Sequence, residues 1–247
     1  MTGLVLAVRY LTIVPLPGRT AHGGEALGRA ASWFPVVGLG LGLVLVGVER
    51  VTSALFPSLL AALLTVTAWK VLTGGLHLDG LADCLDGLAG KDAEHRLGIM
   101  RDSRIGTFGA VGLILFLLLE IVAVAELSAG VRWRALLVLP ALARATPPLL
   151  ARCFPPARAE GHGATFRGGL GAGTAPIALG LGVGLAWVGL GVAGLLVAAA
   201  AVAAAFALAG FMAARLAGVT GDVLGAAIEV GELAGLLTVS AWAHVRP

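Results

Sequence analysis

Three aspartates, Asp79, Asp83 and Asp86, fall within Gly75-Leu-His-Leu-Asp-Gly-Leu-Ala-Asp-Cys-Leu-Asp-Gly87. On a helix of 3.6 residues per turn this i, i+4, i+7 spacing stacks the carboxylates on one stripe. Stacked carboxylates repel at neutral pH and are held together by a cation among them. Hard oxygen donors suit a hard ion, so the expected guest is Mg²⁺, as one ion or two. The competing reading is a loop of solvated charges broken at Gly80, and the sparing use of charge elsewhere in the chain argues against it.

A second polar cluster, Ile99-Met-Arg-Asp-Ser-Arg-Ile-Gly-Thr-Phe-Gly109, brings Arg101, Asp102 and Arg104 to the start of a long apolar run. Arginine forks match pairs of phosphate oxygens, and Asp102 could complete a metal shell. Thr107 is expected to cap the following helix and aim its free amides at the same site. A third cluster, Gly218-Val-Thr-Gly-Asp-Val-Leu-Gly225, sets Asp222 at the head of the last apolar segment, as a metal ligand or as an N-cap. Glu229 and Glu232 follow on nearly the same face. A carboxylate inside a bilayer costs about 3 kcal/mol on insertion scales and calls for a partner or a wet cavity. Glu229 and Glu232 are therefore expected to pair with Arg144 or Lys70, or to line the floor of a substrate site. Glu120 and Arg144 form the simplest further pair. His77, across the helix from the aspartate stripe, is a candidate general base or substrate contact, with a purely structural role as the favoured reading. Arg167, in a Gly-rich stretch, is a candidate phosphate contact. No Ser or Cys nucleophile comes with a convincing His. Carboxylates for metal and arginines for anions are the inventory of phosphoryl transfer, where positioning and charge neutralisation supply most of the catalysis.

These residues have to be positioned by apolar elements. Charged residues make up 13% of the 247-residue chain and hydrophobic ones 58%, with a mean hydropathy of +0.97. A soluble domain carries about 25% charge, so the solvent for most of this chain is lipid. Residues 3–17 are too short to span and read as re-entrant or interfacial. Seven crossings are expected, at about 34–48 (extending to 55), 58–72, 107–127, 133–150, 176–196, 197–216 and 223–239, with kinks at Pro140, Pro147 and Pro148. On that count twelve Lys and Arg emerge on one face and four on the other, so the polar face is expected to be cytoplasmic. The expected fold is thus an all-α, polytopic membrane bundle forming a single domain over 1–247. A net charge of +3 without a basic run excludes nucleic acid as a partner. Two cysteines are too few for a disulfide framework, and Arg9 and Pro15 interrupt anything like a cleaved signal.

The stretches 75–87, 99–109 and Thr220-Gly-Asp-Val-Leu-Gly225, with Pro15-Leu-Pro17 and Phe34-Pro-Val-Val-Gly38, resemble the cobalamin synthase family, the adenosylcobinamide-GDP ribazoletransferases. The resemblance covers nearly the whole chain. It implies a Mg²⁺-dependent enzyme of the bacterial or archaeal cytoplasmic membrane that joins adenosylcobinamide-GDP to α-ribazole or its 5′-phosphate and releases GMP. Carried over by position, Asp79, Asp83, Asp86 and Asp102 would hold metal and diphosphate. Arg101 and Arg104 would clamp phosphate, and Asp222 would support the metal. Leu85 stands where a small residue is usual in the family. Two rival readings fit the residues less well. A CDP-alcohol phosphotransferase needs an Ala-Arg after its first Asp-Gly, which is missing here. An ion or proton transporter would place its acids near the midplane with internal repeats, whereas these acids gather towards one face.

Overall fold

The computed structural model describes residues 3–16 and 24–245; Pro17, Arg19 and His22 of the N-terminal loop lie outside the described residues. In chain order the helices are α1 (Gly3–Leu11), α2 (Gly24–Ala30), α3 (Phe34–Leu55), α4 (Ser58–Leu72), α5 (Leu76–Gly87), α6 (Ala93–Ile99), α7 (Thr107–Glu126), α8 (Ala129–Ala143), α9 (Thr146–Cys153), α10 (His162–Gly168), α11 (Thr174–Leu190), α12 (Val192–Leu216) and α13 (Gly221–Val245). No strand occurs among the described residues. In lipid a helix satisfies its own backbone groups, so apolar sequence of this length folds as a bundle of helices.

Five stretches are long and apolar enough to cross a membrane: residues 24–55, α7, the α8–α9 pair, α12 and α13. A sixth results if α4 and α5 are taken together, although they meet at 90°. The expected second and fifth crossings correspond to shorter helices, the 15-residue α4 and the 17-residue α11. Large apolar side chains such as Leu43, Ile114, Leu118 and Val188 are exposed along α3, α7 and α11. Such surface suits acyl chains rather than water.

Punctuation in the sequence explains the breaks. The α3 helix stops before Phe56-Pro57, since a residue preceding proline avoids helical backbone. Gly74 and Gly75 have φ of +64° and +68°, a left-handed conformation that glycine adopts without strain. That turn swings α5 through a right angle, so α5 lies across the first turns of α13 and α7. The 133–150 crossing divides at Arg144-Ala145 into α8 and α9. Pro140 is carried within α8, and Pro147 and Pro148 sit in the first turn of α9, where missing amides cost least.

Gly38 and Gly42 let α3 rest directly on the α8 backbone: a Cβ on Gly42 would lie 2.2 Å from the Leu137 carbonyl oxygen. At the end of the bundle remote from α5, buried Arg132 donates to the Leu127 and Ala125 carbonyls and to Ser58 Oγ at 2.7, 3.0 and 3.0 Å. Lys70, one of the twelve cations counted on the polar face, and Arg132, one of the four on the other, are both buried.

Candidate active site

The acid-bearing helix is seated by its own glycine. A Cβ on Gly80 would lie 2.6 Å from the Asp222 carbonyl oxygen, so α5 crosses the first turn of α13 at backbone contact. This brings Asp79 and Asp83 of α5 beside Asp222 of α13. The cap of α13 is Thr220, whose Oγ1 accepts from the Val223 amide at 3.2 Å and donates to Asp222 Oδ2 at 3.1 Å. Asp222 is thereby released from the N-cap role and held at the site. Asp79 is exposed, while Asp83 and Asp222 are half-buried. Among the described residues none of the three is ion-paired. Partial burial first, then the charges of Asp79, Asp222 and Asp86, push the Asp83 carboxyl up to about 7. Hard, unpaired, mutually repelling carboxylates are a donor set that fits a divalent cation such as Mg²⁺.

Asp86 belongs to the same stripe but is employed differently. Its two oxygens accept the amides of Gly106 and Gly109 at 2.7 and 2.8 Å, which caps α7 from a neighbouring helix. Both glycines are needed there, since a Cβ on either would lie 2.4 Å from the Asp86 carboxylate. The expected cap by Thr107 is therefore replaced by Asp86, and these two amides face a carboxylate. Leu85 is accommodated by Gly112 of α7, whose absent Cβ would lie 2.3 Å from Leu85 Cδ1.

The arginine-bearing segment is more open. Arg104 forks onto Asp102 at 2.6–3.1 Å with both side chains exposed, and this bonding holds the Asp102 carboxyl down at about 2. The carboxylate of Asp102 is thus engaged by Arg104 on its own segment, and it is not among the charges that act on Asp83. Burial first, and then the charge of exposed Arg101, lower the affinity of Arg158 for a proton, while Asp222 acts on it in the opposite sense. Arg158 donates to the Leu97 carbonyl at 3.0 Å, and its buried Nε has no partner. Sequence reasoning counted Arg158 only as a loop cation; its relation to Asp222 comes from the Pro156–Val219 bridge, which has no local signature. Arg167 donates to the Phe154 carbonyl and so ties down the start of its own loop.

Glu229 and Glu232 belong to a separate cluster deeper along α13. Lys70 Nζ lies 2.5 Å from Glu229, 3.0 Å from Glu120 and 3.7 Å from Glu232, and Arg144 donates to Glu232 at 2.7 Å. All five are buried. Glu120 is thus the partner of Lys70, and the expected Glu120–Arg144 pair does not form. Among the described residues these three glutamates are the group whose carboxylates all lie within 4.8 Å of one another, but the Lys70 ammonium already sits on them. Asp79, Asp83 and Asp222 are spread more widely. His77, buried at 2% exposure, is kept neutral by burial and then by Arg144 and Lys70.

The chain matches the profile of the cobalamin-5-phosphate synthase family over residues 3–240. Relatives named adenosylcobinamide-GDP ribazoletransferase include those of Geotalea daltonii (38% identical, 96% of each chain covered) and Pseudomonas paraeruginosa (39%, 97% of this chain and 98% of the relative). The relative from Herpetosiphon aurantiacus bears the same name, at 41% identity over 96% of each chain. No solved structure matches. An acid-bearing helix laid across a polytopic bundle, in a chain matched almost end to end, makes this protein a member of the cobalamin-5-phosphate synthase family.

Proposed function

We propose that the protein is a Mg²⁺-dependent adenosylcobinamide-GDP ribazoletransferase that works at the cytoplasmic surface of the membrane. In the reaction the 3′ oxygen of α-ribazole, or of its 5′-phosphate, forms a bond to the phosphorus carried by the cobinamide arm. The bond from that phosphorus to GMP breaks, the hydroxyl proton leaves to a base, and GMP departs. Asp79, Asp83 and Asp222 would hold Mg²⁺, which when bound neutralises charge on the diphosphate. Arg158, within electrostatic reach of both Asp222 and Arg101, and Arg101 itself would take phosphate oxygens, a task suited to a guanidinium fork. Arg104 is matched to Asp102 and would join them by exchanging that carboxylate for phosphate. Asp86 acts by fixing α5 to α7.

The observation that carries this reading is the set of three unpaired carboxylates from two helices beside arginines, in a chain whose deeper acids are all matched. Purified protein in lipid nanodiscs, given adenosylcobinamide-GDP and α-ribazole phosphate, should release GMP with Mg²⁺ and not after chelation. Release unaffected by chelation would reject the metal, and no release under any condition would reject the assignment. Cys153 is exposed and Cys84 buried, so a membrane-impermeant thiol reagent reports the orientation. Labelling of Cys153 from outside intact cells would overturn the cytoplasmic placement.

A further inference from the structure

Beside Asp79 and Asp222 lies a cavity of about 320 Å³ between α1, α2, α5, α10 and α13. Its wall is largely apolar, with Leu11, Leu27, Phe34, Phe166 and Ile228, and no Lys or Arg lines it among the described residues. Phe34 and Phe166 stand nearly parallel, centroids 6.1 Å apart with 15° between planes, and Tyr10 continues the row. Flat aromatic walls of this kind suit a flat ring. His77 also lines the cavity, and its Nδ1 has no hydrogen-bond partner. Leaving such a buried atom unmet is costly, so it marks where a ligand's polar atom belongs.

The substrates of the proposed reaction differ in what they would ask of such a space. The corrin ring is too large for it. A diphosphate seated in the cavity itself, beyond the ion that Asp79 and Asp222 would hold at its mouth, would find no Lys or Arg among the described residues. Guanine carries several donors and acceptors on its edge, each needing a partner in a wall that offers few. The benzimidazole of α-ribazole is flat, uncharged and has one free ring nitrogen.

Building on the ribazoletransferase reading, we propose that this cavity seats the base of α-ribazole, with a polar atom of the nucleoside on His77 and the ribose turned towards Asp79 and Asp222. The acceptor hydroxyl then arrives at the carboxylates from the apolar side, while the diphosphate approaches from the side of Arg101 and Arg158.

The test uses the full chain in nanodiscs. Leu27→Trp, which fills the cavity away from the aspartates, should raise KM for α-ribazole about tenfold or more and leave KM for adenosylcobinamide-GDP within about twofold. Phe166→Leu, which removes ring surface without filling space, should shift the same constant in the same direction. Calorimetric binding of α-ribazole alone should weaken in parallel. A rise confined to adenosylcobinamide-GDP would hand the cavity to guanine, and unchanged α-ribazole constants in both variants would overturn the proposal. Absence of GMP release by the wild-type protein would instead strike the underlying assignment.

Discussion

Two groups of acids share α13 and meet opposite fates. Glu229 and Glu232, with Glu120 from α7, are buried and matched by Lys70 and Arg144. Asp222, with Asp79 and Asp83 from α5, is at least partly exposed and has no ion-pair partner among the described residues. Desolvating a charge costs several kcal/mol, which only a close partner offsets, so each deep glutamate has a cation within 3.0 Å, with three acids sharing two cations. The aspartates keep part of their hydration and can remain unmatched until a ligand arrives. A carboxylate in a membrane protein is thus no sign of a site by itself; the location of its counter-charge decides.

Removing counter-charge from the deep group should give the largest effect. Lys70→Met leaves three buried glutamates facing Arg144 alone, and should cost about 3–5 kcal/mol, read as a fall in thermal midpoint in detergent. Pairing it with Glu229→Met should restore part of that loss; a fully active, equally stable Lys70→Met would break the comparison. In the shallow group the effect moves to catalysis. Asp83→Asn should lower kcat by about 100- to 1000-fold with the thermal midpoint nearly unchanged. Asp86, although on the Asp83 stripe, should behave structurally. Asp86→Ala loses both amide bonds and about 2 kcal/mol of stability, while Mg²⁺ still stabilises the variant. Loss of the Mg²⁺ response without loss of stability would move Asp86 into the metal set.

The smallest effect is a pH dependence. Because the folded protein raises the Asp83 carboxyl to about 7, its contribution to stability is full below the ordinary carboxylate range and is lost as pH rises through about 7. The metal-free protein should therefore melt at lower temperature at pH 8 than at about pH 5, with Asp83→Asn flattening the slope. Mg²⁺ should stabilise most at the higher pH.

The bundle was legible because hydropathy alone dictates helices in lipid, and the aspartate stripe because residues 76–87 form one regular helix. The pairings were not. Lys70, Glu120 and Glu229 come from three helices far apart in the chain, and a mid-span charge carries no local mark of its partner. Asp86 shows the same limit more sharply. Residue type and spacing equally suit a metal ligand and a helix cap, and Gly106 and Gly109 decide between them. The right angle after Leu72 was written in Gly74-Gly75, but such a pair marks a turn without fixing its direction.

The clasp from Asp86 to Gly106 and Gly109 has a mechanical meaning. It pinches the chain at the neck of the segment 87–105, so the excursion carrying Arg101 and Arg104 hangs from a closed ring rather than from two independent helix ends. The helix that carries Asp79 and Asp83 is thus joined to α7 at the neck of the excursion, while buried Met100 and the Leu97 carbonyl, which accepts from Arg158, tie its far part back to the bundle.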